Sequence, residues 1–363
     1  MNRIQQIFHD HADAYMAAVR VTDGERKVIR AIRDCRSGEC GYHLYQCPDC
    51  GCPHGTPSSC GNRHCPVCQQ DKNAAWVHKQ QLKRLPCTYF MATFTLPEQL
   101  RPLALAQPKA VYDALMDCAA DSLRTLEADP RFVGCKIAGF TGILHTWGRQ
   151  MQFHPHVHFI IPGGGLSADR ERWIAAKGDF LVHVRALSRM FRGKMKERLR
   201  KAALLDRVPP SAWCTKWNVH CKAVGNGERV LKYLGAYVFR VVISDARITR
   251  YDEGTVTIKY QKVGSSRWRH MTFNVIEFMR RYLQHVLPRG FMKVRHYGFL
   301  SPNFGVSIQR IRELICTLYE TLRGWVLHVP TRKPSRPLVC KECGTALRWV
   351  RFLPPVGRCA VQT

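Results

Sequence analysis

Between residues 35 and 70 hydrophobic periodicity gives way to Cys, Gly, Pro and His, and two pairs, Cys47-Pro-Asp-Cys50 and Cys65-Pro-Val-Cys68, stand 14 residues apart. Four thiolates at such a spacing close a tetrahedron around one zinc ion. This stretch is therefore expected to fold around metal and not around apolar side chains. Cys35, His43, Cys60 and His64 remain in the same stretch, an inventory that leaves one zinc with spectators and two zinc ions both open. Cys340-Lys-Glu-Cys343 is half a knuckle whose only later cysteine is Cys359, so no complete third site is expected within this chain. The first residues, MNRIQQIFHDHADAY, lack the apolar core of a secretory signal, and no run of 18 apolar residues follows. Clustered cysteines in such a chain point to zinc in a reducing, cytoplasmic compartment and away from disulfides and membranes.

Charge narrows the partner. Lys and Arg total 56 against 27 Asp and Glu, a formal charge of +29. Self-repulsion of that size opposes a compact fold unless a polyanion neutralises it, and nucleic acid is the expected polyanion. The basic loop Gly61-Asn-Arg-His64 suits DNA contact, and the run from Arg185 to Lys201 spreads basic residues around a helix that can track a phosphate backbone. No GxxxxGK[ST] loop is present, which excludes a built-in ATPase of that type.

Periodicity supplies the scaffold. The first thirty residues read as helix, with Ile4, Ile7, Phe8, Ala12, Tyr15 and Met16 at helical spacing. Strand runs are expected at 89–96, 140–147, 154–161 and 217–224, and helices near 72–84, 107–128, 185–205, 228–240 and 273–286. Strand-like sequence covers 241–262 with a turn at 252–254, and the tail after Pro330 reads as basic, Pro-rich and loose. Hairpins interleaved with helices predict an α+β fold.

Two motifs carry chemistry. In His154-Pro-His-Val-His158, strand alternation puts His156 and His158 on one face with Val157 behind them. Two imidazoles on one sheet face can hold a divalent cation and leave positions open for a phosphate oxygen and water. The third ligand stays open between His154, His145 and a distant carboxylate or amide. In Leu231-Lys-Tyr-Leu-Gly-Ala-Tyr237, Tyr233 and Tyr237 are neighbours on one helical face. A phenol is a weak nucleophile at neutral pH and needs a polarised phosphate or a base.

These residues resemble the HUH endonucleases, named for two histidines flanking a hydrophobic residue, and within them the two-tyrosine rolling-circle insertion-sequence transposases of the "ninety-one" type. The resemblance runs from about residue 35 to 304. It rests on the cysteine motifs, Phe94-Thr-Leu-Pro97, His154-Pro-His-x-His158 with Pro162-Gly-Gly-Gly165, Tyr233-Leu-Gly-x-Tyr237, and Leu287-Pro-x-Gly-Phe291 with Arg295-His-Tyr-Gly298. It implies a catalytic Mg²⁺ or Mn²⁺ on His156 and His158, and paired nucleophiles at Tyr233 and Tyr237. It further implies zinc ligands at Cys35, His43, Cys47, Cys50, Cys60, His64, Cys65 and Cys68. The expected division is an N-terminal helical segment (1–34), a zinc module (35–80), an antiparallel-sheet nuclease domain (81–265), a C-terminal helical region (266–330) and a basic tail (331–363). The implied partners are single-stranded DNA, the element's ends, and host replication machinery or a helicase, which places the protein at the bacterial nucleoid. Three rivals stand beside this reading. They are a plasmid replication initiator or relaxase of the same chemistry, a non-catalytic zinc-finger DNA-binding protein, and a hydrolase that uses activated water.

Overall fold

Along Phe153–Pro162, Phe153, Pro155, Val157 and Phe159 are buried while His154, His156 and His158 are only partly so, as strand alternation requires. The computed structural model describes residues 2–68, 70–238, 242–252, 254–262, 264–319 and 337–355, with the side chains of 70–72, 232–234 and 236–237 outside that description. Its strands in chain order are β1 (Tyr42–Gln46), β2 (Pro53–Pro57), β3 (Tyr89–Thr95), β4 (Gly139–Trp147), β5 (Phe153–Pro162), β6 (Gly164–Leu166), β7 (Trp173–Ala175), β8 (Val219–Ala223), β9 (Ile248–Asp252), β10 (Thr255–Gln261), β11 (Trp268–Asn274), β12 (Val294–Gly298) and β13 (Arg348–Leu353). Among the described residues every strand pairing is antiparallel, and helices pack among the sheets, so the fold is α+β.

The chain sorts into two units, each assembled from separated stretches. One comprises Ala74–Val238 and Leu287–Val329. Its five-stranded sheet runs β12-β4-β5-β3-β8. Helices Pro108–Glu127 and Val184–Lys201 share one apolar core with the sheet. The second helix buries Leu187, Phe191, Met195 and Leu199, one residue per turn, and leaves its basic residues outward. Phe191 meets Phe94 edge-on at 5.0 Å and Trp217 at 5.1 Å, and Phe159 meets Phe140 at 5.3 Å. With Val157 and Phe159 committed to this core, the histidine side of β5 faces the other way. Pro162 and Gly163 end β5, and the remaining glycines resume at once as β6, paired with β7.

The other unit comprises Met1–Asn73, Phe239–Val286 and Pro330–Thr363. It holds the sheets β13-β1-β2 and β11-β10-β9, with helices Arg3–Ala18, Asp23–Asp34 and Val275–Leu283. The first thirty residues form two helices instead of the one expected. Thr22 accepts from the Glu25 amide while the Glu25 carboxylate accepts from the Thr22 amide, a capping box that starts a new helix. β11 was not expected at all. The stretch after Pro330, expected to be loose, contains β13 over its described part, while 320–336 and 356–363 lie outside the description. The helix expected over 228–240 is Glu228–Val238, with 239–241 outside the described residues.

Candidate metal centres

His145 joins the two expected histidines. The β4–β5 register sets His145 directly opposite His156, and one ring nitrogen from each of His145, His156 and His158 lies within 4.8 Å of the others. The ring centroids are 5.3 Å apart for His145–His156, 4.8 Å for His145–His158 and 4.9 Å for His156–His158. Two of the rings are pinned through Nδ1. Nδ1 of His156 donates to the His154 carbonyl at 2.7 Å, which leaves the lone pair on Nε2, and Nδ1 of His158 bonds the Thr93 hydroxyl at 2.8 Å. Such bonds fix the orientation and tautomer of a metal-binding imidazole.

Burial holds all three rings neutral. It pushes His156 down to about 3, with repulsion from His158 adding to it, and His158 down to about 4. His145 falls well below the ordinary histidine value through burial and then the neighbouring His158, His156 and Lys293. Neutral imidazole is the ligand form, so the donor set fits a divalent cation at neutral pH. His154 does not join. An Arg101 guanidinium nitrogen lies 3.2 Å from its Nδ1, and because a guanidinium can only donate, that nitrogen spends its lone pair there.

Tyr233 and Tyr237 lie on helix Glu228–Val238, four residues apart on one face, and both side chains fall outside the described residues. The ends of this helix are tied. Glu228 pairs with Arg84 at 3.1 Å, and the Lys293 ammonium donates to the Val238 carbonyl at 3.0 Å. The same ammonium sits 4.7 Å over the Trp147 ring, which stacks on His145 at 5.5 Å. Lys293 therefore connects the end of the tyrosine helix to the strand that supplies His145. Nothing in the sequence pattern singled it out.

The cysteines assemble in a different grouping from the one their spacing suggests. Cys35, Cys60, Cys65 and Cys68 converge in one group, and Cys47, Cys50, Cys340 and Cys343 in another, each with its sulfurs within 4.8 Å of one another. Cys35 sits at the C-terminal cap of helix Asp23–Asp34, and Gln5 donates to its carbonyl at 2.6 Å, so the helix pair presents it to the Cys65 knuckle. In that knuckle the Val67 amide points at the Cys65 sulfur, 3.4 Å away. Hydrogen bonds from Cys60 and then Cys65 lower the Cys35 thiol to about 7, while the same contacts and burial push Cys60 up. The half-knuckle Cys340–Cys343 joins Cys47 and Cys50 in the second of these groups, and among the described residues no third four-cysteine group forms. His43 and His64 lie outside both groups. His43 is a β1 residue whose ring rests against Phe352 at 5.4 Å, and the His64 backbone carbonyl accepts from the Tyr282 hydroxyl at 2.8 Å.

Comparison with known proteins bears on both metal regions. Residues 139–306 match a family described as "Putative transposase", and residues 7–96 match the "Transposase zinc-binding domain". "Putative transposase y4qJ" of Sinorhizobium fredii is 37% identical over 322 residues, covering 83% of this chain and 81% of that protein. "Transposase for insertion sequence element IS801" of Pseudomonas savastanoi pv. phaseolicola is 28% identical over 296 residues, covering 77% of this chain and 71% of its own length. No solved structure matches the chain. Cys340 and Cys343 lie beyond the residues that match the zinc-binding domain. Among the described residues no helix is long and apolar enough to cross a membrane.

Proposed function

This chain belongs to the IS91-type transposases, and from that premise we propose that it is a metal-dependent single-strand DNA endonuclease and strand transferase, driving rolling-circle transposition through a 5′-phosphotyrosyl intermediate. The observation that supports this most is the convergence of three neutral imidazoles, His145, His156 and His158, in the unit that also carries the Tyr233 and Tyr237 helix. Those imidazoles would hold the cation, which supplies positive charge to a phosphate oxygen, a contribution of several kcal/mol. Three nitrogen donors suit Mn²⁺ better than Mg²⁺, which prefers oxygen ligands and its own water.

The remaining steps fall to the chain's own residues. The phenol oxygen of one tyrosine attacks phosphorus and gives up its proton, the bond to the 3′ oxygen breaks, and that oxygen takes up a proton to leave as a free 3′-hydroxyl while the 5′ end stays on the enzyme. One phosphodiester replaces another, so the bond energy is conserved and no ATP is consumed. The second tyrosine permits a second cut while the first end is still held. The zinc-binding domain and the outward basic residues of helix Val184–Lys201 would bind single-stranded DNA at the element's ends. Strand separation would fall to a host helicase or the replication machinery at the nucleoid.

The test uses the full chain, Mn²⁺ and single-stranded oligonucleotides from the element's ends, labelled at the 3′ terminus. The expected result is a labelled adduct that survives denaturation, lost when Tyr233→Phe and Tyr237→Phe are combined and lost in His156→Ala. Cleavage with no adduct would instead identify a hydrolase using activated water. Cleavage with an adduct but no joining to a second DNA would identify an initiator or relaxase.

A further inference from the structure

Two pentapeptides, Cys47-Pro-Asp-Cys50-Gly51 and Cys340-Lys-Glu-Cys343-Gly344, fold the same way at opposite ends of the sequence. In each, the glycine amide donates to the carbonyl of the first cysteine, at 3.1 Å for Gly51 and 3.0 Å for Gly344. In each, the amide of the first cysteine donates to the carbonyl five residues on, Cys52 at 3.0 Å and Thr345 at 2.8 Å. Both glycines hold positive φ, 73° and 77°, a conformation that costs glycine little. The two turns face each other. Cys47 and Cys343, 296 positions apart, have sulfurs 3.4 Å from one another, Cys50 and Cys340 are at 3.6 Å, and Cys343 and Cys50 at 3.8 Å. These separations are far beyond a disulfide bond of about 2.05 Å. They match the edges, about 3.8 Å, of a tetrahedron with zinc–sulfur arms of about 2.3 Å.

We propose that Cys47, Cys50, Cys340 and Cys343 bind a zinc ion separate from one held by Cys35, Cys60, Cys65 and Cys68, and that it clasps the chain's C-terminal strand onto its N-terminal module. The surroundings are built for this. Nε2 of His54 lies 3.2 Å from the Cys340 sulfur, a position from which it can donate to a thiolate. The Thr345 hydroxyl donates to the Asp49 carboxylate at 2.6 Å, stitching one knuckle to the other. Directly beyond the knuckles β13 pairs with β1 from Gln46–Arg348 to Tyr42–Leu353. Without β13, β1 and β2 form a two-stranded ribbon with little buried surface, which is marginal in water. Elemental analysis of the full chain is expected to give two zinc ions, and Cys340→Ser with Cys343→Ser one. Hydrogen exchange in the double variant should lose protection at residues 42–46 and keep it at β3 and β5, which controls for global unfolding. A single zinc in the unaltered chain, or two in the double variant, overturns the clasp.

β13 also completes an aromatic face. The register sets His43 beside Phe352 and Tyr45 beside Trp349, so four rings share one side of the sheet. Trp349 Nε1 donates to His43 Nδ1 at 3.4 Å, yet Trp349 remains 55% and Phe352 45% exposed. Arg348 and Arg351 are exposed on the same strand of a chain with charge +29. The same register pairs Arg351 with Leu44 and Arg348 with Gln46, on the other side of the sheet, so this strand offers exposed rings on one side and guanidinium groups on the other, suited to the flat bases and the phosphate chain of single-stranded DNA. The geometry points to this face as a base-stacking platform for single-stranded DNA, an inference that rests on the single-strand reading above. The test compares a thymidine 15-mer with an abasic 15-mer of equal charge. Trp349→Ala with Phe352→Ala should weaken thymidine binding by about tenfold or more, leave abasic binding unchanged and retain both zinc ions. Equal affinity of the unaltered chain for the two oligomers, or no loss in the variant, overturns the platform. Adduct formation would still proceed in that case, which separates its failure from that of the proposed function.

Discussion

A guanidinium nitrogen can donate a hydrogen bond and never accept one, so the Arg101 contact restricts what His154 can be. Its Nδ1 lone pair is engaged, whereas His145, from the neighbouring strand, points a nitrogen into the cluster. His145→Ala is expected to lower Mn²⁺ affinity at least about tenfold by titration calorimetry and to abolish the adduct. His154→Ala should leave Mn²⁺ affinity within about threefold, and a comparable loss in both variants would return His154 to the ligand set. Strand alternation made His156 and His158 legible in five residues. His145 was legible only as a candidate, because its membership depends on the β4–β5 register, which local sequence does not specify. Glu127 offers a separate residue-scale check. It is fully buried at the end of helix Pro108–Glu127, its carboxyl oxygens have no hydrogen-bond partner among the described residues, and burial pushes it up to about 8. The folded state therefore keeps a proton that the unfolded chain releases near pH 4.5, so stability falls as pH rises from about 4.5 to about 8. Glu127→Gln should remove that slope and raise stability at pH 7 by roughly 3 kcal/mol, measured by urea melts at several pH values. An unchanged pH slope would show that Glu127 is already ionised in the folded protein.

At the scale of elements, periodicity found the core helices because their pattern is local. Leu187, Phe191, Met195 and Leu199 recur every fourth residue, and the helix they predict forms and buries them. Phe191 stands where the helix meets the sheet, against Phe94 and Trp217. Phe191→Ala should cost about 3–5 kcal/mol in denaturant unfolding and leave zinc content unchanged. A cost under about 1 kcal/mol would mean that the helix does not seal this core. The cysteine grouping was illegible for the opposite reason. Adjacent knuckles suggested closure on each other, but β1 carries Cys47 and Cys50 toward a strand from the far end of the chain, and no local pattern encodes that meeting. The split of the first helix was visible in principle, since Thr22-x-x-Glu25 is a capping signature.

Across the whole molecule, charge is the property least confined to a site. Asp113 and Asp117 engage Arg295, and Glu277 engages Arg280 and Arg281, yet 27 acidic residues cannot neutralise 56 basic ones. The excess must be met by an external polyanion or by salt. Displacing counterions from single-stranded DNA gives a slope of about −0.7 per neutralised phosphate in a plot of log affinity against log salt. If at least about six phosphates are neutralised, the slope should be near −4 or steeper, measured by fluorescence anisotropy between 50 and 300 mM salt on a thymidine oligomer, with about those limits chosen to span the strongly screened range. Stacking on Trp349 and Phe352 involves neutral bases and should change the intercept of that plot, not its slope. A slope near zero would remove the electrostatic reading of the +29 charge, because cations that engage phosphates release counterions and make binding salt-dependent. A steep slope that flattens in Trp349→Ala with Phe352→Ala would mean that the rings hold the phosphate chain against its cationic partners and do not act by stacking alone.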